Sequence, residues 1–284
     1  QAEIAALKYA WQFWARPNQR VTAEEWVYWV LLAGRGFGKT RTGAEVVRQW
    51  VRDFRFVNLI GATADDARDI LIEGESGILA VCPKAERPLY KKSDRQLLWP
   101  NGAGSLIFTA DEPDRLRGKQ SCKVWLDEMC AYRYPQEALD QALLGLRLGK
   151  KPQALITTTP RPIKPLKDLL SDPHTVITRG STYDNKANLA PTFYDQIVRK
   201  FENTRLGRQE LYAEVLEDIE GGPADLSPEQ GLGEGRLLDT GAPGGVDQDG
   251  RGLHQRQLRR GDHVPGLTGQ HDVQAHDVGL AEQR

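Results

Sequence analysis

The chain has 284 residues, 39% of them apolar, with 38 basic against 39 acidic side chains and a formal net charge of -1. That length suits one large domain or two smaller ones with a buried core. Mean hydropathy is -0.53 and the longest apolar run is Trp26–Ala33, far short of the roughly 20 residues a spanning helix needs, so a membrane-spanning helix is excluded. Residues 1–15 lack a secretory apolar region, and an intracellular protein is expected. Three scattered cysteines, Cys82, Cys122 and Cys130, form neither a disulfide framework nor a zinc pattern and are read as reduced thiols.

The apolar residues Ile4, Leu7, Trp11 and Trp14 recur at helical steps over Gln1–Trp14, and Pro17 ends that pattern. Trp26–Ala33 then reads as a buried strand, closed by glycines at 34, 36 and 38. Lys39–Phe54 places Ala44, Val47, Val51 and Phe54 on one helical face. The local order is therefore strand, glycine loop, helix. Further strands are expected at Phe56–Ala62, Lys123–Asp127, Ala154–Thr158 and Thr175–Thr178. Helices are expected between them at Ala64–Glu73, Pro135–Leu148 and Ile163–Leu170, and this alternation implies an α/β fold with a mostly parallel sheet. Residues 88–110 break the rhythm with a hairpin, Leu97–Trp99 and Ser105–Thr109 around Pro100-Asn101-Gly102. A last helical stretch is predicted over Phe193–Ile219.

Beyond residue 221 the composition changes: residues 222–284 contain no aromatic side chain, no lysine and no isoleucine, so this tail is expected to build no core. The expected division is 1–180 for the main domain, 181–221 for a helical lid or linker, and 222–284 for a disordered tail. Reading of the gene in a shifted frame and a natural linker are both open as origins of the tail.

The strongest chemical signal is Ala33-Gly34-Arg35-Gly36-Phe37-Gly38-Lys39-Thr40, a phosphate-loop pattern with alanine in place of its first glycine. Its backbone N–H groups, from Gly34 through Gly38, suit an anion nest at a helix N-terminus. Lys39 would reach the β- and γ-phosphates of ATP, and the Thr40 hydroxyl would bind Mg²⁺. The strand Val124–Asp127 ends in two acids: Asp127 to hold the hydrated metal, and Glu128 to orient or deprotonate the attacking water. Thr157-Thr158-Thr159-Pro160 offers hydroxyls at another strand end, with Thr158 the one expected to face the γ-phosphate. Arg35, inside the loop, and Arg117, which could act on a neighbouring subunit, are candidates to stabilise transferring phosphoryl charge; surface salt bridges are the plainer alternative for both. Gln19 is placed to read adenine, or is a solvated polar residue.

With these residues placed, the chain resembles the large subunit of tailed-bacteriophage terminases, including those of prophages and gene transfer agents, over about residues 10–221. The resemblance rests on Gly34–Thr40, Leu116-Arg117-Gly118, Leu126-Asp127-Glu128, Ile156–Pro162, Ser181–Asn185 and Asn188-Leu189-Ala190. It implies a phosphate-loop NTPase of the additional-strand (ASCE) type that hydrolyses ATP with Mg²⁺ to drive double-stranded DNA. The implied setting is the host cytoplasm, as a homo-oligomeric ring on the portal protein assisted by a small terminase subunit. It also implies a nuclease domain after about Glu220. The tail acids Asp225, Asp239, Asp247, Asp249 and Asp262 do not follow apolar strands, so no nuclease residues are assigned to them. A helicase-like translocase and a nucleotide-binding remnant without turnover are the other readings the same loop and acid pair allow.

Overall fold

In a computed structural model of the chain, residues 7–21 and 25–217 are described. Eight strands form one sheet: β1 Tyr28–Ala33, β2 Val57–Gly61, β3 Leu89–Lys91, β4 Gln96–Leu98, β5 Gly104–Thr109, β6 Lys123–Asp127, β7 Gln153–Thr158 and β8 Thr175–Gly180. Their order is β3-β4-β5-β2-β6-β7-β1-β8, parallel from β5 onward in that order, with β3 and β4 antiparallel at one edge. Strand β7 lies between the strand that feeds the glycine loop and the strand that ends in the acid pair. That insertion is the additional strand of the expected class.

Alternation along the strands supplies both faces of a three-layer core. Trp29, Leu59, Trp125 and Leu155 meet Ala44, Val47 and Val51 of helix α1, Lys39–Asp53, on one face. Val30, Leu32, Ile60, Leu126 and Ile156 meet Ala138, Leu139 and Ala142 of α2, Pro135–Gly145, and Leu166 and Leu169 of α3, Lys164–Ser171, on the other. Helix α1 comes so close to the sheet that a Cβ at Gly43 would lie 2.0 Å from the Trp125 ring.

Three expectations need correction. The N-terminal pattern is not one helix among the described residues: a single turn, Trp11–Trp14, follows a break. Arg48, buried on α1, donates to the Tyr9 carbonyl at 2.9 Å, and the Trp14 indole donates to the Leu7 carbonyl at 2.7 Å, so side chains take oxygens a continuous helix would use. The hairpin is extended by a third antiparallel strand, β3, not foreseen from the sequence. The last stretch is also broken. An α turn Pro191–Phe193 runs through π-helix Tyr194–Val198 into Arg199–Phe201, and after Glu202–Thr204 a new helix, α4 Arg205–Glu210, starts on the Thr204 hydroxyl, which accepts from the Gly207 N–H at 2.9 Å. Helix α4 stops at Glu210, not Ile219, because the next carbonyls are used elsewhere: Glu210 O accepts from Arg35 N at 2.7 Å and Leu211 O from Thr182 N at 2.8 Å. The reading of 222–284 as a disordered tail falls outside the described residues, as does Ile4.

Candidate active site

The C-terminal ends of the parallel strands meet at one edge of the sheet, where open α/β sheets bind ligands. Strand β1 runs into the glycine loop, β6 ends at Asp127 and β7 at Thr158. Gly36 and Gly38 hold φ values of +76° and +99°, which side-chain-bearing residues rarely adopt, and so turn the loop back onto the first turn of α1. Lys39 and Thr40 open that helix, where N–H groups have no partner within the helix.

The buried Lys39 ammonium donates to Ala33 O at 3.0 Å, Gly34 O at 3.3 Å and Thr159 Oγ1 at 2.9 Å, and pairs with Glu128 Oε1 at 3.0 Å. Glu128 Oε2 accepts from the Thr159 N–H at 3.0 Å. Glu128 has a left-handed backbone, φ +54°, a conformation costing a non-glycine residue on the order of 1–3 kcal/mol. The kink directs its carboxylate across β7 to Lys39, rather than back along β6. Asp127 is buried; its Oδ1 accepts from Thr157 Oγ1 at 2.6 Å and its Oδ2 from Thr40 Oγ1 at 3.4 Å. Burial, and next the Glu128 carboxylate, push the Asp127 carboxyl upward from its usual range, against the opposing pull of Thr157, Lys39 and Thr40. A hydroxyl and a carboxylate, hard oxygen donors facing each other beside the loop, fit a Mg²⁺ ion that keeps most of its ligands from water and phosphate.

The threonine run divides by strand alternation. Thr157 faces Trp125, whose indole donates to its hydroxyl at 2.9 Å, and thereby holds Asp127. Thr159 meets Lys39. Thr158 is the correction: its hydroxyl is buried on the other face, accepting from Cys130 N and donating to Thr159 O, both at 3.0 Å.

Gln19 is not solvated. It is buried against the loop, with its amide donating to Thr42 Oγ1 at 2.9 Å and its oxygen accepting from Arg16 N at 3.1 Å. Phe37 offers the cleft only its backbone, since its ring is fully buried. Arg35 is exposed and paired with Glu210 at 3.3 Å, and Arg117 is exposed beside Asp114 at 3.5 Å; neither meets the Lys39–Glu128 pair.

Lys39, Thr40, Arg35 and Glu128 line a cleft of about 500 Å³ whose far wall is Asp69, Ile70 and Gly74–Ser76, to which no chemical role is assigned from the sequence, with Asn185 of the Ser181–Asn185 run beside them. A second cavity of about 670 Å³, lined by Trp11, Trp14, Arg16 and Gln19, shares Gly38, Arg41, Ser76 and Asn185 with it. Trp11 and Trp14 carry a helical period but no chemical signal, so nothing in the sequence marks their part in this wall.

The family described as terminase large subunit, T4likevirus-type, N-terminal, matches residues 30–224, well over half the chain. The chain belongs to this family. Among solved structures, the ATPase domain of the Thermus phage P74-26 large terminase is 18% identical, with a TM-score of 0.54 over 71% of this chain and 94% of that one. The large terminase of another thermophilic bacteriophage, solved with ADP, is 16% identical with a TM-score of 0.56 over 74% of this chain and 52% of its own. That second terminase has also been solved with ATP-gamma-S, at 15% identity and a TM-score of 0.54. The chain thus spans about half the length of the nucleotide-bound terminase and nearly all of the P74-26 domain. No curated protein matches it. At these identities the solved structures establish a shared fold: the terminase ATPase fold, with β7 as its additional strand.

Proposed function

We propose that the described residues are the motor ATPase of a DNA-packaging terminase, hydrolysing ATP to translocate double-stranded viral DNA into a procapsid. The single observation that carries this is the 3.0 Å pairing of Lys39 with Glu128 beside the Thr40–Asp127 pair, on three adjacent strand ends. Family membership favours this over a helicase-like translocase. The ADP and ATP-gamma-S found in the second phage terminase support a nucleotide as the ligand.

In this reading the loop amides and Lys39 bind the phosphates, and the aromatic cavity beside Gln19 takes the base. Thr40 and Asp127 would hold Mg²⁺, which when bound would neutralise charge building on the phosphate oxygens. A γ-phosphate draws Lys39 away from Glu128, whose freed carboxylate then orients and deprotonates the attacking water. The Thr159 N–H keeps that carboxylate aimed, and the Thr159 hydroxyl, which accepts from Lys39, would face the same phosphate. Arg117, exposed and weakly paired, is available to a neighbouring subunit of a ring, and Arg35, once released by Glu210, to its own site. Duplex DNA, the portal protein and a small terminase subunit are the partners this role requires, in the host cytoplasm at the portal. No helix among the described residues is long and apolar enough to cross a membrane. DNA cleavage is not assigned to the described residues.

The test is steady-state ATP hydrolysis with and without linear duplex DNA. Stimulation by DNA that disappears in Lys39→Ala is expected. Hydrolysis indifferent to DNA would remove the translocation part of the proposal.

A further inference from the structure

Three consecutive carbonyls of the glycine loop each accept a hydrogen bond from a side chain outside it. Arg35 O takes the Thr182 hydroxyl at 2.6 Å, Gly36 O takes the Asn185 amide at 2.7 Å, and Phe37 O takes the Arg16 guanidinium. In a trans peptide the N–H points opposite to the carbonyl. Fixing these three oxygens outward therefore aims the N–H groups of Gly36, Phe37 and Gly38 inward, as an anion nest requires. Among the described residues, the Gly36 and Gly38 N–H groups donate to no protein acceptor, and Phe37 N makes only a long 3.3 Å bond to Gly34 O.

The outside partners are themselves fixed. Asn185 Oδ1 accepts from Arg16 at 2.8 Å and from Asn188 at 2.9 Å, which leaves its NH₂ to face Gly36. The Arg16 guanidinium lies 4.5 Å over the Phe37 ring, and that ring is packed where a Cβ on Gly180 would stand. Thr182 is buried, its own N–H held by Leu211 O at 2.8 Å. These contacts come from before β1 and after β8, so the loop is gripped by two distant parts of the chain.

We propose that Arg16, Thr182 and Asn185 are positioning residues that hold the phosphate loop in its anion-binding conformation through its backbone carbonyls. The inference rests on the nucleotide reading of the cleft. A loop already ordered in this way loses less entropy when phosphate binds and presents its dipoles without rearranging.

The experiment is calorimetric titration of the full chain with inorganic tripolyphosphate and, separately, with ADP. Thr182→Val loses one clamping bond and should weaken tripolyphosphate binding by about three- to tenfold, the worth of one such bond, and Asn185→Ala, which also releases Arg16, should weaken it by at least as much. Thr182→Ser keeps the donor and should bind as wild type, which separates the clamp from a general loss of fold. Affinities of both variants within about twofold of wild type would overturn the clamp alone. A loss with ADP but none with tripolyphosphate would overturn it too, by making these residues nucleoside contacts. A wild-type chain that binds neither ligand would overturn the nucleotide reading along with the clamp.

Discussion

The glycine loop is bordered by two regions that work by different physics. On its inner side stand the ends of β1, β6 and β7, where Asp127 and Thr157 are carried by buried parallel strands, the candidate residues Glu128 and Thr159 follow directly on those strands, and Lys39 and Thr40 open the buried helix α1. On its outer side lies the strap of residues 181–217, a series of short helical pieces tied to the loop through backbone carbonyls and a few polar side chains. The inner region draws its rigidity from packing, and the outer from individual hydrogen bonds. Chemistry is therefore placed where displacement is most costly, while the strap is built of contacts worth about 1 kcal/mol each, which can be exchanged singly.

The largest effect should follow a change at the inner region that leaves packing intact. Glu128→Gln keeps the size and the bond from Thr159 N but removes the base, and should slow hydrolysis by about 10²- to 10⁴-fold while nucleotide still binds. Steady-state and binding assays on one preparation check this; equal losses in both would mean that Glu128 is structural. Next comes the packing beneath the site. In Gly43→Ala a better helix former gains about 1 kcal/mol, yet the new methyl meets Trp125 at a cost of about 3 kcal/mol, the upper end for overpacking, so a net loss of about 2 kcal/mol is expected. Because Trp125 holds Thr157 and Thr157 holds Asp127, the variant should also lose hydrolysis, readable beside its urea midpoint.

The strap should answer more weakly. Thr204→Ala removes the cap of α4 and should cost about 1 kcal/mol, with faster amide exchange confined to residues 205–211. Exchange that also accelerates in β1 or β6 would erase the distinction between the two regions. A separate, pH-dependent effect lies at the opposite ends of the strands. Lys123, buried over the Phe54 ring and donating to Lys151 O, is held at about 8 by burial. Between that value and its ordinary 10.5 the unfolded chain holds a proton that the folded chain lacks, so stability gains from this residue as pH rises through that window. Lys123→Met should abolish that gain, as pH-dependent urea melts would show.

The same contrast explains what could be read from the residues. The strand expected at Lys123–Asp127 was legible because an apolar run closing in the acids Asp127 and Glu128 is a local pattern, and β6 has those bounds. Helix α1 was legible from Ala44, Val47 and Val51, all of which reach the core. Within Thr157–Thr159 the strand period placed the hydroxyls on alternating faces, but which face held the site depended on neighbouring β6, and Thr158 proved to be on the wrong one. The end of α4 was not legible, because Glu210 and Leu211 surrender their carbonyls to Arg35 and Thr182, partners far away in sequence. The same holds for Gln19: its burial depends on Thr42 of α1 and on Arg16, and no local pattern encodes it. Long-range hydrogen bonds, rather than propensity, decided each of these.

That the ends of β1, β6 and β7 form a working ATPase centre is tested most directly by single-turnover hydrolysis of ATP by the purified full chain with Mg²⁺. Wild-type chain should convert bound ATP to ADP and phosphate, and Lys39→Ala should fall by about 10²-fold or more. Equal turnover in the two proteins, or none above buffer in wild type, would contradict it.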